Sequence, residues 1–314
     1  MGIVYTTSKP TLLFRANVQN PTESFKVISD PIDGLCCRSP RLSPDMKTLI
    51  WLERDLNERA HACVLRLKGL DLSLNYLEPR LVIETVEKFN PVTDKFAGLN
   101  RPQLPDRCFV NNDEIVFSDV VIDKPTLFRC NINNLNDITP FEDDQCNVVL
   151  DVSSSKSSVL FSKSSFLASP SLWIGILGQD NQIETRCILQ GQAVLDQNEY
   201  EVQTLIHSPM NIHQDPLYRD VKFASSFVYP LNSINGLILQ PHGGPHSVFT
   251  KEFSNDVLFF LNMGYAVLRP NYRGMYTTNK QDLNALKSYF VSRVNFNVSF
   301  KNIEIQVKSK EIII

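Results

Sequence analysis

The chain has 314 residues, 43% of them hydrophobic and 21% charged, with a formal net charge of −3 at pH 7. That length accommodates two domains with sizeable cores, and the proportions are ordinary for globular proteins. The charge balance gives no electrostatic reason to expect nucleic acid or an anionic membrane as partner, and no apolar run is long enough to span a bilayer.

The seven cysteines are scattered, include the adjacent pair Cys36-Cys37, and lack paired C-x-x-C spacing. Neither a disulfide framework nor a zinc site is expected, and a reducing compartment fits best. No basic-then-apolar signal pattern opens the chain. Met1-Gly2-Ile3-Val4-Tyr5-Thr6 matches the loose myristoylation pattern, but a β-strand is the preferred reading of that segment.

In chain order, the first two thirds read as repeated β units. "GIVYTTSKPTLLFRANV" from Gly2 resembles "EIVFSDVVIDKPTLFRCNI" from Glu114: a short strand, a polar gap, Lys-Pro-Thr, then a second alternating strand. "SPDMKTLIWLE" with "HACVLRL", and "SSSKSSVLFSK" with "SPSLWIGIL", share the layout. First strands begin near Ile3, Leu49, Ile115 and Val159, at separations of 46, 66 and 44 residues. Alternating strands joined by Ser-Pro-Asp or Asn-Asn-Asp turns cannot bury their faces alone, so the units stack on one another. A period of about 40–50 residues in an all-β region predicts a β-propeller, with a β-sandwich as the alternative. About four blades are expected over residues 1–228, and because the first unit starts at Met1 the propeller is expected to be partial.

After about Tyr229 the pattern changes. Ile234–Gln240 is a continuous apolar strand of the kind buried on both faces of a parallel sheet. Pro241-His242-Gly243-Gly244-Pro245-His246 follows as a loop. "SNDVLFFLNMG" predicts a helix with Ser254 as N-cap and Gly264 as its stop. "YAVLRP" from Tyr265 is a second buried strand, ending in Asn271-Tyr272-Arg273-Gly274. Strand, loop, helix and strand make a βαβ unit. A glycine loop after an early strand donates a backbone N–H to the oxyanion hole of α/β-hydrolases; taken alone, the same residues are also a tight Gly-Gly turn. His242 and His246 are separated by glycines and proline, and His207 and His213 have no carboxylate or cysteine at ligand spacing, so no metal site is expected.

"CCRSPRLSPDMKTLIWLE", "SPSLWIGIL", "PHGGPHSVF" and "MGYAVLRPNYRG", in that order over residues 1–274, resemble the acylaminoacyl peptidases of the prolyl oligopeptidase family of serine peptidases. The resemblance implies an N-terminal β-propeller and a C-terminal α/β-hydrolase domain. It also implies a Ser-Asp-His triad acting on N-acylated peptides, cytoplasmic location, common oligomerisation and no cofactor. By the same resemblance Gly243 and Gly244 match the oxyanion loop, with a backbone N–H of Gly244 as the donor. His242 stands where related peptidases place a tyrosine that assists the oxyanion, and Arg273 is given a structural role.

The triad itself has no counterpart in the sequence. There is no G-x-S-x-G, no glycine after Gly274 and no histidine after His246, and Asp282 is the only later aspartate. The chain is therefore expected to be truncated at both ends and catalytically inactive, with no catalytic residue of its own. The alternative is a non-enzymatic propeller module that binds full-length subunits or peptides. Residues 229–274 are expected to form only the first βαβ part of the hydrolase domain, leaving "VLFFL" and "YAVL" poorly covered. The tail 275–314 departs from the family pattern, with helical spacing at Leu283, Leu286, Phe290 and Val294 and strand-like alternation beyond. Its Asn297 N-x-S pattern carries no meaning in a cytoplasmic protein.

Overall fold

A computed structural model describes residues 11, 13–22, 26–28, 35–55, 65–74, 78–86, 89–101, 103–178, 183–207, 223–243, 248–271, 304–307 and 310–313. Four antiparallel sheets come first. β1 (Phe14–Arg15) pairs with β2 (Lys26–Val27). β3 (Leu35–Leu42), β4 (Thr48–Asp55), β5 (Arg66–Asp71) and β6 (Arg80–Ile83) form a meander. β7 (Glu114–Val121), β8 (Lys124–Asn131) and β9 (Ile138–Pro140) form the next. β10 (Cys146–Ser153), β11 (Ser158–Ser165), β12 (Ala168–Leu177) and β13 (Ile183–Leu189) form the fourth sheet.

The repeated units map onto these sheets in phase. Leu49, Ile115 and Val159 are each the second residue of their strands, β4, β7 and β11. Backbone bonds from Val116 to Cys108 (2.8 Å) and from Val110 to Glu114 (2.9 Å) lay residues 108–110 alongside β7, so each repeat marker sits on the second pass of its meander. The fourth marker, Ile3, lies outside the described residues.

Turn chemistry follows the sequence. Ser43 Oγ donates to Asp45 Oδ1 (2.6 Å) and accepts from Thr48 N (2.9 Å), while Met46 takes φ +60. In the next sheet Asp113 N donates to Asn111 Oδ1 (2.8 Å). The two turns touch, since Asp45 N donates to Asn112 Oδ1 at 3.1 Å.

Successive side chains of β7 and β8 point to opposite faces and apolar residues occur on both, so the sheet has two apolar faces, and both are covered. Ile115, Phe117, Phe128 and Cys130 pack with Ile50, Leu52, Leu67 and Ile83 of the preceding meander. Val116 and Leu127, on the opposite face, pack with Val149, Val159 and Phe161 of the following one. Each fully buried side chain of this size contributes about 1.5–3 kcal/mol, which is what fastens sheet to sheet.

The last large sheet is mixed. β14 (Tyr200–His207), β15 (Phe223–Pro230), β16 (Gly236–Leu239) and β17 (Tyr265–Asn271) stand in the order β14-β15-β17-β16. β16 and β17 are parallel, joined through α1 (Asn255–Asn262), and β15 runs antiparallel to β17. The sheet reaches back to Tyr200, so its membership and the change of composition near Tyr229 do not coincide.

Ser254 occupies the N-cap position, but its hydroxyl donates to Asp256 and makes no side-chain cap. Gly264 ends the helix at φ +78, where a Cβ would fall 2.7 Å from Asn235 Nδ2. β18 (Glu304–Val307) and β19 (Lys310–Ile313) pair antiparallel, in line with the alternation of the tail, and the helical spacing around Leu283 lies outside the described residues.

Two expectations are corrected here. Ile234–Gln240 is not a strand buried on both faces: β16 is the sheet edge and half-buried. Nor is "YAVL" left poorly covered, because Ala266, Val267 and Leu268 are fully buried. β15 takes the place beside β17 and hydrogen-bonds it, while α1 covers one face with Val257 and Leu261.

Two hairpin tips from adjacent meanders reach this sheet. Asp123, between β7 and β8, bonds to Thr204 of β14 and Ser226 of β15. Phe166 and Leu167, between β11 and β12, pack with Val228, Val257, Leu261 and Val267.

Candidate functional site

The candidate site lies where β16 ends. Gln240, the next residue, donates its backbone N–H to Leu268 O (2.9 Å), so the chain keeps parallel register with β17 until the loop begins. His242 is buried and Gly243 is exposed. The His242 Nδ1 lies 3.4 Å from Gly243 O, and its ring meets Phe249 edge-on at 5.4 Å. A Cβ placed on Gly243 would meet nothing within 4 Å, so the chain's own packing does not demand glycine there. Gly244, His246 and Arg273 lie outside the described residues.

The chain returning from the loop is clamped. Phe249 N donates to Asn271 Oδ1 (2.9 Å), and Asn271 Nδ2 donates to Phe249 O (2.8 Å). Asn271 is the last residue of β17 and is buried, so one amide side chain fixes the returning backbone to the carboxyl end of the parallel strand. Two residues on, Lys251 N donates to Asp123 O (2.8 Å). Lys251 Nζ donates to Thr204 Oγ1 (2.7 Å) and lies 3.4 Å from Asp123 Oδ1.

Below this arm a polar row crosses the sheet. Thr204 pairs with Ser226, and Ser226 with Arg269; Gln240 stands beside Arg269. Asp123 is buried and accepts from Thr204 (2.9 Å) and Ser226 (2.8 Å). At the other end Gln240 and Ser254 both donate to Asp256. Burial works against the Asp256 anion, but these bonds and the nearby Arg269 cation outweigh it and hold the carboxyl below its usual range. Burial lowers the Arg269 pKa, with Asp256 opposing. The Arg269 guanidinium lies 3.7 Å from the Phe249 ring centroid and 5.8 Å from that of Phe166.

One hydroxyl–imidazole pair occurs in the same sheet: His207 Nε2 and Ser225 Oγ are 2.9 Å apart. Ser225 is fully buried, out of reach of a substrate, and burial lowers the His207 pKa and favours the neutral ring. His213 lies outside the described residues. Among the described residues no helix is long and apolar enough to cross a membrane, and no group of three His, Cys, Asp or Glu could hold a metal ion.

Sequence reasoning had marked His242 and Gly243 and missed Asn271, Phe249, Asp123 and Lys251 as the residues that hold the loop. Asn271 carried a signal, as the first residue of "NYRG". Asp123 and Lys251 are 128 positions apart and carried none.

No family model matches the chain. It is 25% identical over 285 residues to the acylamino-acid-releasing enzyme of Mus musculus, covering 87% of this chain and 37% of that one. The Homo sapiens enzyme of the same name is 23% identical over 291 residues, with the same coverage. Prolyl oligopeptidase B from Galerina marginata, solved with a 25mer macrocyclization substrate, superposes with TM-score 0.58 at 12% identity, over 87% of this chain and 35% of that one. A structure from a study of two prolyl endopeptidases gives TM-score 0.52 at 11% identity, over 90% and 47%. The chain spans 37% of the length of the curated relatives it matches. The antiparallel sheets match the propeller domain of the prolyl oligopeptidases, and the chain is homologous, over most of its own length, to acylamino-acid-releasing enzymes of the prolyl oligopeptidase family.

Proposed function

We propose that this chain carries the oxyanion-loop portion of an α/β-hydrolase domain on a partial propeller, and that alone it does not turn over peptides. One observation carries the reading: the His242-Gly243 segment leaves the carboxyl end of a strand parallel to β17, and the chain is held at the end of β17 again at Phe249 by Asn271. That is the topological place from which glycine-loop amides serve an acyl-transfer oxyanion. In this reading residues 1–228 are the propeller part and 229–274 the hydrolase part. The loop amides around Gly243 and Gly244 would face the carbonyl oxygen of an N-acylated peptide in a cytoplasmic setting, with His242 beside them.

The donors stabilise charge on oxygen but attack nothing. The sequence holds no G-x-S-x-G and no histidine after His246, so the nucleophile and the base that would take its proton have no counterpart. Incubating the purified chain with a serine-directed fluorophosphonate tests this. We expect no stoichiometric adduct and no release of acylamino acid from an N-acetylated peptide; a single labelled serine with matching turnover would overturn the proposal.

A further inference from the structure

Cys36 of β3 sits among hydroxyl and guanidinium donors that no carboxylate answers. Successive side chains of a strand point to opposite faces, so Cys36 and Arg38 share one face of β3. Cys36 pairs with Arg54 of β4, and Thr11 bridges it in parallel from the other side. Arg38 Nη2 donates to Cys36 Sγ at 3.7 Å. The Thr11 hydroxyl has a single proton, within reach of both Cys36 Sγ (3.1 Å) and Cys37 O (2.7 Å). Arg54 is 7% exposed, and its Nε has no hydrogen-bond partner among the described residues. Neither Arg38 nor Arg54 forms an ion pair among those residues. Glu53 and Cys37 face the other way, where Glu53 pairs with Arg66 at 3.3 Å. Burial works against a Cys36 thiolate, but Thr11, Arg38 and Arg54 outweigh it and hold the thiol below its usual range. In Cys108, Cys130 and Cys146 burial instead pushes the thiol up to about 12.

We propose that Cys36 is a peroxide-reactive thiol, with Arg54 Nε holding the peroxide that it attacks. Thr11 and Arg38 serve the sulfur. Arg54 Nε is the donor left over, buried across the strand pair from that sulfur, and what it lacks is an oxygen acceptor. A hydroperoxide supplies one, and positive charge beside it stabilises the oxygen that departs. The Cys36 thiolate attacks one peroxide oxygen, and the S–O bond forms as the O–O bond breaks. The other oxygen leaves as hydroxide and takes a proton from solvent. The sulfur, now a sulfenic acid, has lost the two electrons that the peroxide gains. Cys36 is 6% exposed, below the exposed Thr11 and the partly exposed Arg38, so only a molecule of about the size of water reaches it. Cys37 points to the opposite face, so the sulfenic acid finds no disulfide partner on its own strand and persists until an external thiol reduces it.

Treating the full chain with hydrogen peroxide in the presence of dimedone, followed by digestion and mass spectrometry, reads sulfenic acid at each of the seven cysteines. Cys36 should be labelled at least about tenfold faster than any other. Thr11→Val should slow labelling about tenfold, while Thr11→Ser keeps the wild-type rate, because only the hydroxyl matters. Arg54→Met should slow the peroxide reaction at least about threefold more than it slows alkylation of Cys36 by iodoacetamide, which needs the thiolate but brings no peroxide oxygen to hold. Arg38→Ala, at a partly exposed position, should slow both reagents alike, and it tests the sulfur's surroundings even where circular dichroism shows that Arg54→Met has not folded. Faster labelling of another cysteine, or a Thr11→Val chain as reactive as wild type, would overturn the proposal. Equal slowing of both reagents by a folded Arg54→Met chain would overturn the role given to Arg54.

Discussion

Removing the Asp123 carboxylate probes how the meanders hold the mixed sheet. In Asp123→Ala, the Thr204 and Ser226 hydroxyls lose their acceptor and Lys251 loses its counter-charge. Breaking a buried pair from one side costs about 3–5 kcal/mol. The Lys251 side chain is 22% exposed and keeps its bond to Thr204, which places the loss near the low end, about 3 kcal/mol. Lys251→Met leaves Asp123 charged and 2% exposed, but still accepting two hydroxyls; about 2 kcal/mol is expected. The double variant has no stranded charge, so its loss should stay near 3 kcal/mol, well below the sum, a coupling of about 2 kcal/mol. Urea unfolding of the three variants measures the cycle, and hydrogen exchange at the Lys251 amide reports whether the arm itself has loosened. Losses that add to within about 0.5 kcal/mol would show that the two groups act independently and refute the reasoning.

The Asp119 carboxyl lies beneath the 98–101 segment, accepting from Asn100 N (2.7 Å), Arg101 N (3.2 Å) and Val120 N (2.7 Å). Burial pushes its pKa up to about 6 against those bonds, well above the usual carboxylate range. Between these values the folded state binds more protons than the unfolded one, so this group's contribution to stability falls as pH rises from about 4 through 6. The Asp119→Asn protein should show a flatter melting-temperature profile from pH 4 to about 7, and an unchanged slope would refute the assignment. Asn271→Ala removes both bonds to the Phe249 backbone, a local loss of about 2 kcal/mol. Amide exchange at Phe249 should then quicken about thirtyfold while the melting temperature moves little, and an unchanged exchange rate would show that the clamp is not what holds the arm.

Much of the fold was legible because the repeats are local. Alternation in "EIVFSDVV" and "KPTLFRCN", with Asn-Asn-Asp and Ser-Pro-Asp turns, specifies meanders through contacts between neighbours in sequence. The mixed sheet was less legible. Leu237, Ile238 and Leu239 form an unbroken apolar run, which reads as a central strand, yet β16 is the edge; nothing in its pattern announces that β15 lies beside β17. The loop at His242 and Gly243 was found from its residues, but the groups that hold it were not. Asp123 sits in a turn where an aspartate is expected for turn chemistry alone, and its partners Thr204, Ser226 and Lys251 come from other elements.

The two hairpin tips also have a mechanical consequence. A rigid body pinned at two points keeps one easy motion, rotation about the line joining the pins. The pins here are unlike: Asp123 is held by directional hydrogen bonds and charge, while Phe166 and Leu167 are held by apolar contact that tolerates sliding. A torque between the meanders and the mixed sheet would therefore shear the apolar pin gradually and break the polar one abruptly. The backbone bond from Lys251 to Asp123 ties the polar pin to the strand of chain that returns from the glycine loop, so slip at a distant hairpin would be felt first beside His242.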